Sequence, residues 1–319
     1  MKVLVTGGNG FVGKELIRSI LAAGIHTPVS GVRKRNKIDN LNEVQIVELG
    51  DLEELVDRKE LLKDIDVIIH TAARVHVMKE NPKQSSKEYK RINVDATLNL
   101  ALDAIGAGVK RFIFLSTIKV NGEVSVGKGF TPEDIPKPEG DYALSKFEAE
   151  QGLFELSKSS QMKVICIRSP LVYGKGVKGN LHFLINVIKL RIPLPLSGAK
   201  HNKRSFVSVS NLVDLLILCI DHAKAVNEVF LVSDGDDIST TSLVKLIASK
   251  LEVKIRLFYC PTLLIKLIFI FLGRSESYKR LFDSLYVDLE KTSTLLSWKP
   301  KENMKSGIDS IFRERVRNN

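Results

Sequence analysis

The sequence predicts an α/β fold: a doubly wound parallel sheet with a smaller, discontinuous C-terminal lobe. Three observations predict it. Short β-branched runs alternate with helical patterns through the first half of the chain. The runs are continuously apolar, as strands buried on both faces require. The alternation then breaks down over 173–207 and again from 239. At 319 residues and 44% hydrophobic content the chain can fill one large core or two coupled ones, and no repeat or Pro/Ser-rich linker separates its parts. Residues 1–172 and 208–238 are therefore expected to form the sheet domain, and 173–207 with 239–319 a tightly joined lobe.

The first strand, 3–6, runs into Thr6-Gly7-Gly8-Asn9-Gly10-Phe11-Val12-Gly13 and a helix from about Val12. Gly7, Gly10 and Gly13 permit a tight turn, close approach of backbone N–H groups to a pyrophosphate, and close helix–strand packing. With Phe11 and Val12 opening the helix over the phosphates, this is a Rossmann-like dinucleotide site. The next strand, 29–32, ends at Gly31-Val32-Arg33-Lys34-Arg35, where an acid would hold the ribose 2′-hydroxyl of NAD. A basic turn there attracts a 2′-phosphate, so NADP(H) is favoured over NAD(H). Asp51-Leu52 follows the strand at 44–49 and Thr71-Ala72-Ala73 the strand at 67–70. Asp51 can accept from an adenine amino group, and the two alanines let backbone approach the cofactor.

A helix over 94–105 leads to a strand at 112–116 with Ser116-Thr117 at its carboxyl end, where a hydroxyl can donate to a substrate oxygen. Tyr142-Ala143-Leu144-Ser145-Lys146 places a phenol and an ammonium one helical turn apart on one face. A nearby ammonium lowers the phenol's pKa and suits Tyr142 to proton exchange with a substrate hydroxyl. Further strands are expected at 163–168 and 228–232.

The formal charge of +11 favours anionic partners, but aromatics are only 7% and form no platform with Arg of the kind single-stranded nucleic acid needs. Cys166, Cys219 and Cys260 lie far apart in apolar surroundings and read as core residues of a reducing compartment. His70, His76, His182, His201 and His222 share no ligand spacing, so no metal is expected. The N-terminus, MKVLVTGG, lacks the apolar stretch of a signal peptide, which predicts a cytoplasmic protein. The apolar run 263–272 is broken by Lys266 and ended by Gly273. It is well short of the roughly 20 residues that span a bilayer and reads as a buried helix in preference to a membrane-surface contact.

As an ordered set, these motifs resemble the extended short-chain dehydrogenase/reductases, and within them the nucleotide-sugar epimerase/dehydratase group. The resemblance covers nearly the whole chain: TGGNGFVG at 6–13, HTAA at 70–73, Asn93, LSTIKVNG at 115–122, YALSK at 142–146, IRSPLVYG at 167–174, Lys178-Gly179-Asn180, Arg204-Ser205-Phe206-Val207 and Leu295-Leu296-Ser297-Trp298. It implies that Thr117, Tyr142 and Lys146 are catalytic with Ser116 beside them. It also places Asn93, Tyr142 and Lys146 at the cofactor, and Asn180 and Arg204 on the diphosphate of a UDP-sugar with Arg280 as a further substrate contact. A homodimer through helices near 96–104 and 147–156 is implied as well. Trp298 reads as packing the last lobe.

Two departures narrow the chemistry. Dehydratases of the group carry an acidic pair after the catalytic hydroxyl, and here Ile118 and Lys119 follow Thr117, which argues against sugar dehydration. Many epimerases have Asn where this chain has Pro170-Leu171. The basic turn and the segments ARVHVM, STIKVNGE, FLVSDGDD and LFDSLYVDLEKT resemble 4-ketoreductases of bacterial surface-polysaccharide synthesis. The expected reaction is therefore reduction of a UDP-4-keto-6-deoxy-N-acetylhexosamine, which gives UDP-N-acetylquinovosamine. A UDP-glucose or UDP-GlcNAc 4-epimerase is the alternative. A non-catalytic NAD(P)-binding regulator would be expected to have lost Tyr142 or Lys146, and both remain.

Overall fold

The structure, a computed structural model, describes residues 1–34, 44–75 and 82–312; Arg35 of the basic turn and His76 lie outside the described residues. The first half of the sheet is built by β1 (Lys2–Thr6), α1 (Phe11–Ala23), β2 (Thr27–Val32), β3 (Gln45–Glu48), α2 (Lys59–Leu62) and β4 (Val67–His70). After α3 (Pro82–Tyr89), a π turn over Lys90–Asp95 leads into α4 (Ala96–Gly106), β5 (Arg111–Thr117), α5 (Gly140–Lys158) and β6 (Lys163–Ser169). Then come β7 (Leu171–Tyr173), α6 (Gly179–Lys189), β8 (Phe206–Ser208), α7 (Val209–Leu218), β9 (Glu228–Leu231) and α8 (Thr240–Lys250). The chain closes with α9 (Thr262–Phe271), α10 (Ser275–Phe282), α11 (Glu290–Leu296), α12 (Met304–Gly307) and α13 (Asp309–Phe312).

Seven parallel strands run in the order β3-β2-β1-β4-β5-β6-β9, as the doubly wound expectation requires. The order reverses between β1 and β4, and in such sheets a crevice opens at that point beyond the carboxyl ends. One apolar layer joins α1 and α7 to the sheet through Leu16, Ile20, Leu212 and Leu216; the other joins α4 and α5 through Leu100, Ala104, Ala149 and Leu153. A third cluster centres on Tyr173, Leu181, Ile185, Phe206, Val244 and Ile247, and is the core of the smaller lobe. Its β7 and β8 pair in parallel as a second, two-stranded sheet, too short to leave a periodic signal in the sequence.

Two expectations need correcting. Trp298 packs into the sheet-side core, not the smaller lobe, because α11 brings it beside α7, where its indole N–H donates to Asp214 Oδ2 at 2.9 Å. The run 263–272 is not a buried helix. α9 is helical, but only Ile265 in it is buried, because among the described residues α10 is the one helix packed closely against it.

Candidate active site

The turn after β1 is shaped by backbone crowding. Gly7 has φ +70°, and a Cβ there would sit 2.9 Å from the Ala72 nitrogen, so the loops after β1 and β4 touch at the switch point. A Cβ on Gly13 would fall 2.2 Å from the Gly7 carbonyl oxygen, which fixes how closely α1 approaches the turn. Gly10 donates to Gly7 O at 2.7 Å and caps α1 without a side chain, leaving the helix N-terminus open for an anion. Phe11 packs toward the small-lobe core and Val12 toward the sheet core, both half-buried. Gly8 was not singled out by the glycine spacing. A Cβ there would lie 2.3 Å from Ser30 Oγ, so it too must be small.

Around the crevice the loops are pinned from behind. Thr71 donates to Thr6 O at 2.7 Å, and His70 bridges Thr6 and Thr97 at 2.8 and 3.2 Å. Burial, with the Lys146 charge adding to it, pushes His70 down to about 3, so the ring is neutral and structural. Asp51 and Leu52 belong to a loop held by the buried Arg58, whose guanidinium donates to Leu49 O at 2.7 Å and to Asp51 O at 2.6 Å. No motif pointed to Arg58. Arg33 lies with Nε 3.0 Å from Asp51 Oδ1, so the basic turn already has an acid within it.

Ser116 and Thr117 end β5 beside the start of a 3₁₀ turn, and α5 carries Tyr142 and Lys146. A hydrogen bond joins Thr117 to Tyr142. Burial nevertheless pushes Tyr142 up to about 12, with Thr117 drawing it down and Tyr89 adding to the rise. The sequence reading has the neighbouring ammonium lower this phenol, and the structure differs. Lys146 Nζ sits 3.8 Å from the centre of the Phe114 ring and is itself pushed down to about 7 by burial, against the pull of Glu150. Behind it, Arg168 grips Glu150 with contacts of 2.6 and 3.1 Å and reaches Asn121 Oδ1 at 3.0 Å. This buried pair holds the face of α5 against β6. Asn93, expected at the cofactor, spends its amide on the fold: Oδ1 accepts from Arg74 N at 2.8 Å, and Nδ2 donates to Arg74 O and to Ser145 Oγ at 3.1 and 3.0 Å. It ties the loop after β4 to α5.

Arg204, between β7 and β8, is largely buried and donates to Asp283 O at 3.4 Å. Burial takes it down to about 10, Glu123 raises it, and Arg280 lowers it again. The charge of Arg280 acts on Arg204, although Arg280 also meets Glu276 at 2.7 Å. Lys119 pairs with Glu123 at 2.5 Å where dehydratases carry acids. Asn180 is exposed in the first turn of α6.

A dinucleotide fits these residues. The glycine cradle leaves room only for backbone, the α1 N-terminus is open, and Ser116 Oγ is buried with no hydrogen-bond partner among the described residues. Residues 3–233 match the NAD dependent epimerase/dehydratase family. The chain belongs to this family. It is 44% identical to a Vibrio cholerae protein described as UDP-glucose 4-epimerase, over 96% of this chain and 93% of the relative. Its fold matches a UDP-glucose 4-epimerase of Thermotoga maritima solved with UDP-glucose, at TM-score 0.79 and 23% identity over 99% and 100% of the two chains. It also matches a UDP-glucuronic acid 4-epimerase of Bacillus cereus solved with UDP-glucuronic acid and NAD, at TM-score 0.80 and 20% identity over 99% and 100%. It is an NAD-dependent enzyme of the nucleotide-sugar epimerase/dehydratase type.

Proposed function

We propose that the protein is a UDP-hexose 4-epimerase that works with a resident NAD. The observation that carries this reading is 44% identity, end to end, to the Vibrio cholerae UDP-glucose 4-epimerase, with Thr117, Tyr142 and Lys146 all present. Arg204, Arg280 and Asn180 are assigned to the UDP diphosphate, where a planar guanidinium can bind two oxygens at once. Anchoring the substrate by its nucleotide leaves the hexose free to present either face to the catalytic residues. The dinucleotide, when bound, supplies the acceptor and then the donor of the C4 hydride. Tyr142 holds its phenol proton in the folded protein, so it first passes that proton on, which Lys146 can accept; it then takes the O4 proton as C4 is oxidised and returns it when C4 is reduced from the other face. Thr117 steadies the same oxygen, and Lys146, with a pKa near the working pH, can serve the proton traffic behind Tyr142.

A 4-keto sugar could be protonated by the same residues in a single NADPH-driven reduction, and the observation favouring that reaction is the basic turn at Arg33 and Lys34. The Asp51 carboxylate 3.0 Å from Arg33 weighs against it, since a 2′-phosphate there would meet an acid as well as a base. The test is to incubate purified protein with UDP-glucose, UDP-GlcNAc and the 4-keto sugar, with and without NADPH. Interconversion of 4-epimers without added cofactor is the expected result. NADPH consumption with the keto sugar alone would overturn the proposal in favour of the ketoreductase.

A further inference from the structure

α9 is the most apolar helix of the structure and also one of the least covered. Leu263, Leu264, Leu267, Ile268, Ile270 and Phe271 are all exposed, Phe271 at 91%. These residues share one broad face of the helix, opposite the buried Ile265 and the half-buried Phe269. The surface continues beyond α9. Gly198 lies against Thr262 and Tyr259, and the segment through Arg256 and Phe258 bonds to Leu194 at 3.0 and 3.1 Å, which joins the exposed Phe258, Tyr259, Leu190 and Ile192 to the same region.

The charge of this region is mostly of one sign, with the exposed Glu252 and Glu276 at its two edges. From 253 to 274 the chain carries Lys254, Arg256, Lys266 and Arg274 and not one Asp or Glu, and the neighbouring exposed turn adds Lys189 and Arg191. We propose that α9 and its basic surroundings dock the enzyme peripherally on an anionic lipid bilayer. One broad apolar face standing clear of the protein suits immersion at the headgroup boundary, and each Lys or Arg held near an anionic surface strengthens binding by roughly fivefold. A second copy of this chain is a poorer occupant, because a two-fold contact sets each cation of the patch against the same cationic face of its mate. Among the described residues no helix is long and apolar enough to cross a membrane, so the contact is one of lying on the surface. α10, which carries Arg280, stacks on α9 through Tyr278 and Phe269, whose rings lie 6.3 Å apart; docking and the substrate lobe therefore share a structural unit.

Co-sedimentation of the full-length protein with vesicles of phosphatidylglycerol and phosphatidylcholine tests this, with phosphatidylcholine alone as the control. The protein should bind the mixed vesicles, bind the neutral ones far less, and release with added salt. Leu267→Glu/Phe271→Glu should weaken binding by at least about tenfold while sugar-nucleotide turnover is kept, and Lys254→Glu/Arg256→Glu should weaken it through charge alone. The proposal is overturned if the parent protein stays in the supernatant with the mixed vesicles, or if both double variants sediment as it does. It is equally overturned if Leu267→Glu/Phe271→Glu converts a dimer to a monomer and the parent protein binds no vesicles, which would assign the face to self-association.

Discussion

His70 shows how a single buried ring can mark the pH range of the whole molecule. Its pKa is pushed down from 6.5 to about 3, so between those values the unfolded chain carries a proton that the folded chain does not. Acidification across that window therefore favours unfolding, by at most about 1.4 kcal/mol per pH unit from this residue. Urea titrations of the parent protein and His70→Gln across the window should show a shallower pH slope in the variant, whatever the offset between the two. Identical slopes would mean that the ring is not held neutral. In the proposed reaction Arg204 anchors the diphosphate of the substrate. Its loss removes charge-assisted bonds of roughly 1.5–3 kcal/mol, so Arg204→Ala should raise the KM for UDP-sugar about ten- to a hundredfold with a smaller change in kcat. Arg204→Lys should recover little of this, because an ammonium cannot reproduce the fork; full recovery in steady-state kinetics would contradict the assignment.

The β1–α1 turn is the element in which sequence and geometry agree most closely. The requirements at Gly10 and Gly13 follow from contacts with Gly7 and Gly8 a few residues away, and such contacts leave a local pattern, whereas Gly7 combines a positive φ with a close approach to Ala72 on another loop. Gly13→Ala should lower the stability measured by thermal melting by about 1–3 kcal/mol and weaken NAD binding, because its Cβ meets a backbone oxygen that cannot step aside. An unchanged melt with unchanged binding would rule out the close approach. Tyr142 and Lys146 were equally open to reading, being one turn apart on a single helix. Gly8 was not, since the reason for it is Ser30 on another strand. Nor was the brace formed by Asn93, whose partners Arg74 and Ser145 come from two different elements. α9 misled for a different reason. An apolar run without periodicity predicts burial only if something covers it, and the sequence carries no record of what lies opposite.

Across the whole molecule, the parallel sheet was evident from the alternation of strands and helices, whereas the joints between its layers were not. The Arg168–Glu150 pair illustrates this. It links β6 to α5 deep in the interior, and neither residue belongs to a spacing that announces the other. Arg168→Met should cost about 3–5 kcal/mol by stranding the Glu150 carboxylate, and adding Glu150→Leu should return part of that. If chemical denaturation found the single variant as stable as the parent, the pair would not be the joint described here. The second sheet of β7 and β8 and the placement of Trp298 beside Asp214 escaped the sequence in the same way, since both depend on segments that meet only after folding.

In the proposed epimerisation, hydride leaves and re-enters the same sugar carbon while Tyr142 handles the proton on its oxygen. UDP-glucose deuterated at C4, followed by NMR in ordinary water without added cofactor, measures this directly. UDP-galactose that retains its C4 deuterium, formed by the parent protein and lost by about a hundredfold or more in Tyr142→Phe, is the predicted result. Deuterium washed out of C4 into water, or turnover undiminished in Tyr142→Phe, would contradict it.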